Sequence, residues 1–415
     1  MTRVRSTGFV ISGVIAALLL LSADAQAIPA FARKTKLGCN ACHTLFPQLN
    51  RFGRDFRDNG FRTPDEIEQL LRKKPATPPA APADQPPAED FWSFIPDQIP
   101  FSIQAKLHDA INPKGDIKND IQLEELQFQT GGTLTPRVSY YVHHHLVEEG
   151  EPGRLYTGWV RFNNLLGSDW LNVTVGQFEL PLSFSPEIER LSSFGYLAFD
   201  QQLGANTFNL STPQLGVQLF GQSERGTKVW AGLVNGSGLA KNDQTGSFDN
   251  NNFKDVYARV GQEIGEHFVG GYVYYGRVRG STQAATFDDN FVRVGGDVSV
   301  NVHKVVVSGT VLYARDDNAL GTGERRTFVG GFAEGDVFVS DRALVLLRVD
   351  AVHQQLPALF DESGVLDNPP FRVNTVAVTP GFQFLIRPNV KFGVEYQVRQ
   401  TRVEDRALAQ LHMSF

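Results

Sequence analysis

From about Ile99 to Phe415 the sequence alternates apolar and polar residues over short segments separated by turn residues. Phe101, Ile103, Ala105 and Leu107 alternate with Ser102, Gln104, Lys106 and His108; Leu171, Val173 and Val175 with Asn172 and Thr174; Leu215, Val217 and Leu219 with Gly216 and Gln218. Successive strand side chains point to opposite faces, so each segment has one apolar and one polar face. About sixteen such segments can be counted, an even number, as in bacterial outer-membrane barrels. Past the N-terminal leader no stretch approaches the ~20 apolar residues of a membrane helix, and a closed barrel is the other structure that satisfies its backbone in lipid. Connection lengths sharpen the expectation. Short turns fall near 131–137, 166–169, 222–226, 264–267, 301–304, 340–342 and 387–389. Between them lie longer polar loops at 148–154, 181–212, 235–252, 280–289, 316–326 and 354–370. Short turns on one side and long loops on the other are what a barrel inserted from the periplasm produces; a soluble sandwich does not sort its loops this way. The last strand, with Ala409, Leu411, Met413 and terminal Phe415 on one face, has the same character. The sequence therefore predicts an all-β membrane fold, a porin-like outer-membrane barrel over residues 99–415.

The N-terminus reads as a cleaved export signal over residues 1–27. Arg3 and Arg5 precede an apolar run from Phe9 to Leu21, and Ala25-Gln26-Ala27 supplies the small residues of a cleavage site. Twelve residues further on stands Cys39-Asn40-Ala41-Cys42-His43, which holds both cysteines of the chain. With no other thiol there is no disulfide framework, and both sulfurs are available for one covalently bound haem c. A histidine directly after the second thiol is placed to ligate the haem iron. A reducible pair is expected beside a βαβ pattern, and zinc needs two further ligands at suitable spacing; the neighbouring sequence has neither. Haem c attachment occurs outside the cytoplasm, in agreement with export. Cys39 and Cys42 are thus the expected attachment points and His43 the expected axial ligand.

Residues 28–74 form the expected helical haem segment, with Thr63 as N-cap and Pro64 in the first turn of a helix running to Lys74. Leu49, Phe52 and Phe56 recur at helical spacing, suited to lie on a porphyrin face or on the next helix. A Pro/Ala-rich linker over 75–98 cannot build a packed core. So short a segment rarely forms an adequate core unaided, so the barrel is expected to help cover the haem. Charge points the same way. Residues 28–74 hold ten Lys and Arg against five Asp and Glu, a balance of +5, within a chain of net charge −6, so the barrel is acidic. Opposite charges favour docking of the segment on or in the barrel; nucleic acid is not an expected partner. The second axial ligand stays open between a barrel histidine, a water and a vacant position. Met413 belongs on the lipid face. His108 and His412 fall on polar strand faces and are the preferred candidates; the phase of His143, His144 and His145 is ambiguous.

Ala27, Pro29, Phe31-Ala32-Arg33 and Thr35, then Cys39, Cys42-His43, Pro47, Leu49, Gly53, Phe56 and Gly60-Phe61, resemble the N-terminal signature of the fused monohaem cytochrome-porins. That family includes outer-membrane iron(II) oxidases of iron-oxidising bacteria. Lys34 departs from it, standing where glutamine is frequent. The resemblance implies an electron-transfer protein, or Fe(II) oxidoreductase, of a Gram-negative outer membrane: extracellular Fe(II) or another redox donor would reduce the haem, and a periplasmic cytochrome or similar carrier would take the electron onward. Insoluble ferric products would then stay outside the cell. Acidic loop pairs Glu148-Glu149, Asp288-Asp289 and Asp316-Asp317 could gather a hard cation at the mouth. The alternatives are an outward electron conduit to extracellular acceptors, a diffusion porin with a haem-bearing plug, and, last, a haem sensor or peroxidase-like site. The loop at 181–212 is third among the long ones, where general porins fold a constriction inward, which gives the porin alternative substance.

Overall fold

A computed structural model describes residues 30–35, 37–72, 101–111, 119–184, 189–236, 238, 247–281, 286–356, 359–360, 366–368, 371–399 and 405–415. The expected export signal (1–27) and linker (75–98) lie outside the described residues. Sixteen antiparallel strands close into one barrel. They are β1 Phe101–Ile111, β2 Asn119–Thr135, β3 Val138–Glu148, β4 Leu155–Phe162, β5 Asn172–Phe178, β6 Gln214–Gln222, β7 Thr227–Val234, β8 Asp255–Ile264, β9 His267–Ser281, β10 Thr286–Val302, β11 Val305–Asp316, β12 Arg326–Ser340, β13 Ala343–Leu356, β14 Phe371–Arg387, β15 Val390–Arg399 and β16 Arg406–Ser414. Each pairs with its neighbour in sequence, and a two-residue pairing at Glu151–Pro152 extends the β3–β4 hairpin. Closure comes from β16 against β1, with Ala407 opposite Ile111 and Met413 opposite Ala105. Phe415 completes the seam by exchanging backbone hydrogen bonds with Ile103 at 2.8 and 2.9 Å. A closed sheet leaves no unpaired edge, which is the condition for crossing lipid with strands.

The two faces of the wall differ as the alternation predicts. Outward positions such as Val260, Val273, Val298, Val311, Val329 and Leu347 are exposed, and Val311 reaches 64%. So continuous an apolar belt on a soluble protein would invite aggregation; facing hydrocarbon it is stabilising. Inward positions carry buried Arg259, Arg293, Arg348, Asp297 and Asp316. Met413 lies on the outward face and His412 on the inward one.

Connections sort into two ends. At one end the turns are brief, as at 265–266, 303–304, 341–342 and 388–389, and at the other end lie the long loops. Two boundaries differ from expectation. The loop expected at 280–289 is mostly strand, since β9 reaches Ser281, β10 starts at Thr286, and Arg279 stands opposite Asp288. The turn expected at 131–137 shrinks to 136–137 because β2 continues through Gly131 and Gly132. Where a strand projects beyond the lipid both faces meet water, so the polarity alternation that marks a strand fades while its hydrogen bonding continues.

The third long loop folds into the lumen. Within it, α-helical Leu197–Asp200 packs inside the barrel with Phe199 and Leu203 buried. Arg348 donates to the carbonyls of Phe194 and Gly195 at 2.9 and 3.0 Å, and Asn206 Nδ2 donates to Asp316 at 2.8 Å.

The N-terminal segment fills the lumen at the short-turn end. Its helices are α1 Ala30–Thr35, α2 Cys39–Cys42, α3 Arg51–Asp58 and α4 Pro64–Arg72. Thr63 caps α4 as expected, in a reciprocal box: Thr63 N–H donates to Glu66 at 2.6 Å and Glu66 N–H to Thr63 Oγ1 at 3.4 Å. Phe31, Phe56 and Phe61 pack on Tyr141 and Trp159 of the wall, with Phe61 stacked on Trp159 at 5.8 Å between ring centres. Ser139 donates to the Gly60 carbonyl at 2.7 Å, Arg51 to the Gly265 carbonyl at 3.0 Å and Arg62 to the Pro136 carbonyl at 3.3 Å. The contacts are not simply basic segment to acidic wall. Arg51 meets Glu263 at 3.1 Å and Arg57 meets Glu189, but Asp55 and Asp58 meet wall Lys228 at 2.6 and 3.0 Å. Arg161 also donates to the Asp58 carbonyl at 2.6 Å. Docking is set by individual pairs of both polarities, which net charge conceals.

Candidate functional site

Between the N-terminal segment, the wall and the inward loop lies a cavity of about 340 Å³, lined among others by Cys39, Cys42, His43, His108, His412 and Lys391. Its floor is organised around Asn50. The Asn50 N–H donates to the Cys42 carbonyl at 2.9 Å and its Nδ2 to the Ala41 carbonyl at 3.0 Å, while its Oδ1 caps α3 by accepting from Gly53 N–H at 2.9 Å. One residue thus fixes the thiol-bearing turn to the helix that docks the segment. The short ribbon His43–Leu45 against Gln48–Leu49 holds the His43 backbone, with His43 opposite Leu49. His43 Nδ1 lies 3.0 Å from the Pro47 carbonyl. A hydrogen bond from one ring nitrogen to a backbone carbonyl fixes the orientation of an imidazole and leaves the other nitrogen free to ligate a metal. Burial lowers the His43 pKa below its ordinary value, which favours the neutral, ligating form. Burial also raises both thiols, Cys39 and Cys42, above theirs, unlike the acidic thiolates of redox-active pairs.

Two thiols at the ends of one helical turn and an imidazole with one nitrogen already bonded, all lining one cavity, are a donor set that fits haem c. Among the described residues no group of three His, Cys, Asp or Glu side chains is arranged to hold a bare metal ion.

Gly53 has a specific reason to be glycine. A Cβ there would stand 2.1 Å from the Cys42 carbonyl oxygen. Gly53→Ala must push the thiol-bearing turn away from α3, and we expect a loss of about 1–3 kcal/mol in docking of the segment, read as faster limited proteolysis of residues 30–72 with barrel insertion unchanged. Equal proteolysis rates would refute this role.

His108 and His412 both face the cavity, as their strand phase predicts. The His run is resolved by the burial alternation of β3: His143 and His145 point inward, each 1% exposed, and His144 points outward. Of these only His143 lines the cavity. The apolar strip expected from Leu49, Phe52 and Phe56 does not form. Leu49 lies in the short ribbon ahead of α3; Leu49 and Phe56 reach the cavity, but Phe52 lies beside Glu266 at its outer side. The cap at Asn50 breaks the helical phase that the spacing suggested. Four of the six acidic mouth residues are already engaged. Asp316 holds Arg293, Asp288 holds Arg279, Asp317 holds Arg315 and Arg325, and Glu148 approaches His145 and Arg154. Sequence reasoning passed over Lys106 and Lys391, whose signal was their place on the polar phase of strands, and residues 189–193 of the inward loop, which had none.

No family model and no curated protein matches the sequence. Solved structures do match the fold. OmpT of Vibrio cholerae, in a form lacking loop L8, aligns with a TM-score of 0.52 at 12% identity, over 77% of this chain and 99% of that one. The outer membrane channel DcaP of Acinetobacter baumannii gives 0.53 at 12%, over 77% and 97%, and Salmonella typhi OmpF gives 0.53 at 10%, over 76% and 97%. The chain is a porin-like outer-membrane barrel. The likeness extends to the fold, and it leaves about a quarter of this porin-like chain without a counterpart in those structures.

Proposed function

We propose that this barrel carries one haem c in its lumen, tethered at Cys39 and Cys42 and ligated by His43, and that it accepts electrons from extracellular Fe(II) for delivery to a periplasmic carrier. The observation that carries the proposal is the convergence of both thiols, His43 and three wall histidines, His108, His143 and His412, on one cavity. For the second axial ligand the geometry favours His412. The Phe46 ring centre lies 5.6 Å from that of His43 and 4.6 Å from that of His412, so both imidazoles border the same side chain. His108 is engaged at both nitrogens, with Gln410 at 2.6 Å and Glu124 at 3.5 Å; His412 Nε2 meets Gln104 at 3.2 Å. When bound, the haem supplies a one-electron iron couple. Cys39, Cys42 and His43 would hold it, with the Pro47 carbonyl orienting the His43 ring, and the inward loop, through Leu191 against Leu45, Leu344 and Leu346, would limit water at the cavity. Fe(II) enters as substrate from the long-loop end, and the segment faces the periplasm at the short-turn end.

A diffusion porin with a haem-bearing plug is the second reading, supported by the channel-like neighbours and the inward loop. Purified, detergent-solubilised protein mixed anaerobically with Fe(II) separates the two. Conversion of the haem absorbance to the reduced form supports the proposal. No change, with solute flux equal in wild type and Cys39→Ser, supports the porin. Outward electron flow uses the same site and is excluded if the periplasmic carrier draws electrons from Fe(II)-reduced protein.

A further inference from the structure

The wall of the cavity carries a row in which only His412 has a role so far. Register places Lys391 of β15 opposite His412 of β16, His412 opposite Lys106 of β1, and Lys106 opposite Glu125 of β2. All four belong to the cavity lining, on neighbouring strands about 5 Å apart. Lys106 is matched by Glu125, at 2.6 Å. Lys391 is not matched. It is 2% exposed, its Nζ makes one long contact of 3.5 Å to the Leu191 carbonyl, and among the described residues no carboxylate lies within 4.0 Å of it. Glu395, further along the same face of β15, is taken up by Ser192 Oγ at 2.7 Å and by Ser193 N–H at 3.0 Å. The other nearby cation, Arg190, donates to the carbonyls of Ser192 and Ser193.

A buried ammonium without a counter-ion is costly unless the occupant of the site brings the charge. We infer that Lys391 is the receptor for a carboxylate of the molecule held in this cavity, the propionate of the haem, beside the His412 ligand position. The inference rests on the haem reading above and adds to it an orientation: one propionate directed at the β15–β16 wall. The alternative source of the same chemistry is a small anion drawn through the pore.

The test is a redox titration of full-length, folded wild type, Lys391→Gln and Lys391→Arg, each checked for haem by staining a separate sample. A buried positive charge near the haem disfavours its ferric form, so Lys391→Gln should lower the ratio of reduced to oxidised haem by about tenfold at fixed ambient potential, with haem stain and barrel insertion intact. Lys391→Arg should restore the ratio. Ratios equal across the three proteins would overturn the inference and leave the haem reading standing. Absence of haem stain in wild type would overturn both. In that case altered anion selectivity of Lys391→Gln in planar bilayers would assign Lys391 to a passing anion.

Discussion

Cys42→Ser is expected to abolish haem staining after denaturing electrophoresis while the barrel still inserts and migrates as a folded, heat-modifiable species. On the haem reading the effect is large because the proposed tether is a pair of thioether bonds, and removing one sulfur leaves at most a single link. The strands owe nothing to the thiol. They are held by ladder hydrogen bonds and the lipid-facing belt, and Cys42 touches them only across the cavity. Undiminished stain in the variant would show that the thiols are not the attachment points.

The second large effect is expected at Lys228. Its ammonium, 4% exposed, meets Asp55 at 2.6 Å, Asp58 at 3.0 Å and Glu263 at 3.1 Å, so it joins the segment to the wall. Lys228→Met removes the one cation that, among the described residues, contacts all three acids, leaving Arg51 near Asp55 and Glu263. Losing one partner of a buried pair costs about 3–5 kcal/mol, and the lower end applies here because Arg57 and Arg161 remain near Asp58 and Asp55 is a third exposed. The segment should therefore leave the lumen about a hundredfold more often, seen as cleavage of residues 30–72 by an added protease and as larger conductance steps in planar bilayers. Unchanged cleavage and conductance would mean that the aromatic contacts alone hold it.

The same cluster sets a pH dependence. Burial pushes the Asp58 carboxyl up, but Lys228 and Arg57 outweigh it and hold the group well below the usual carboxylate range. A depressed folded-state value contributes stability that is fully present above the unfolded value of about 3.9 and is lost as pH falls through the folded one. Docking of the segment should be level between about pH 7 and 5 and weaken only in stronger acid.

The barrel was legible because one physical rule, apolar outward and polar inward, repeats along every strand and because turn lengths alternate. That rule also placed His108, His412 and Met413 on their observed faces. It failed at 280–289, where the strand ends stand in water on both faces. That Cys39, Cys42 and His43 lie together was legible, since they are adjacent in sequence; the haem they would hold is the proposal. What the sequence did not show is what lies opposite them. The cavity joins the N-terminal segment to β1, β15 and β16, separated from it by as many as several hundred residues, and contacts such as Phe46 on His412 or Asp58 on Lys228 leave no local pattern. The docking of Leu191 on Leu45 was equally hidden, because a loop that enters a lumen reads as an ordinary polar connection.

The central claim is a single haem, bonded through two sulfurs, inside an outer-membrane barrel. A pyridine haemochrome spectrum of the wild-type protein, purified from outer membranes and washed with acidified organic solvent, tests it most directly. The account predicts one non-extractable haem per chain with the spectrum of a porphyrin whose two vinyl groups are saturated. Haem that washes out, or none at all, would contradict it.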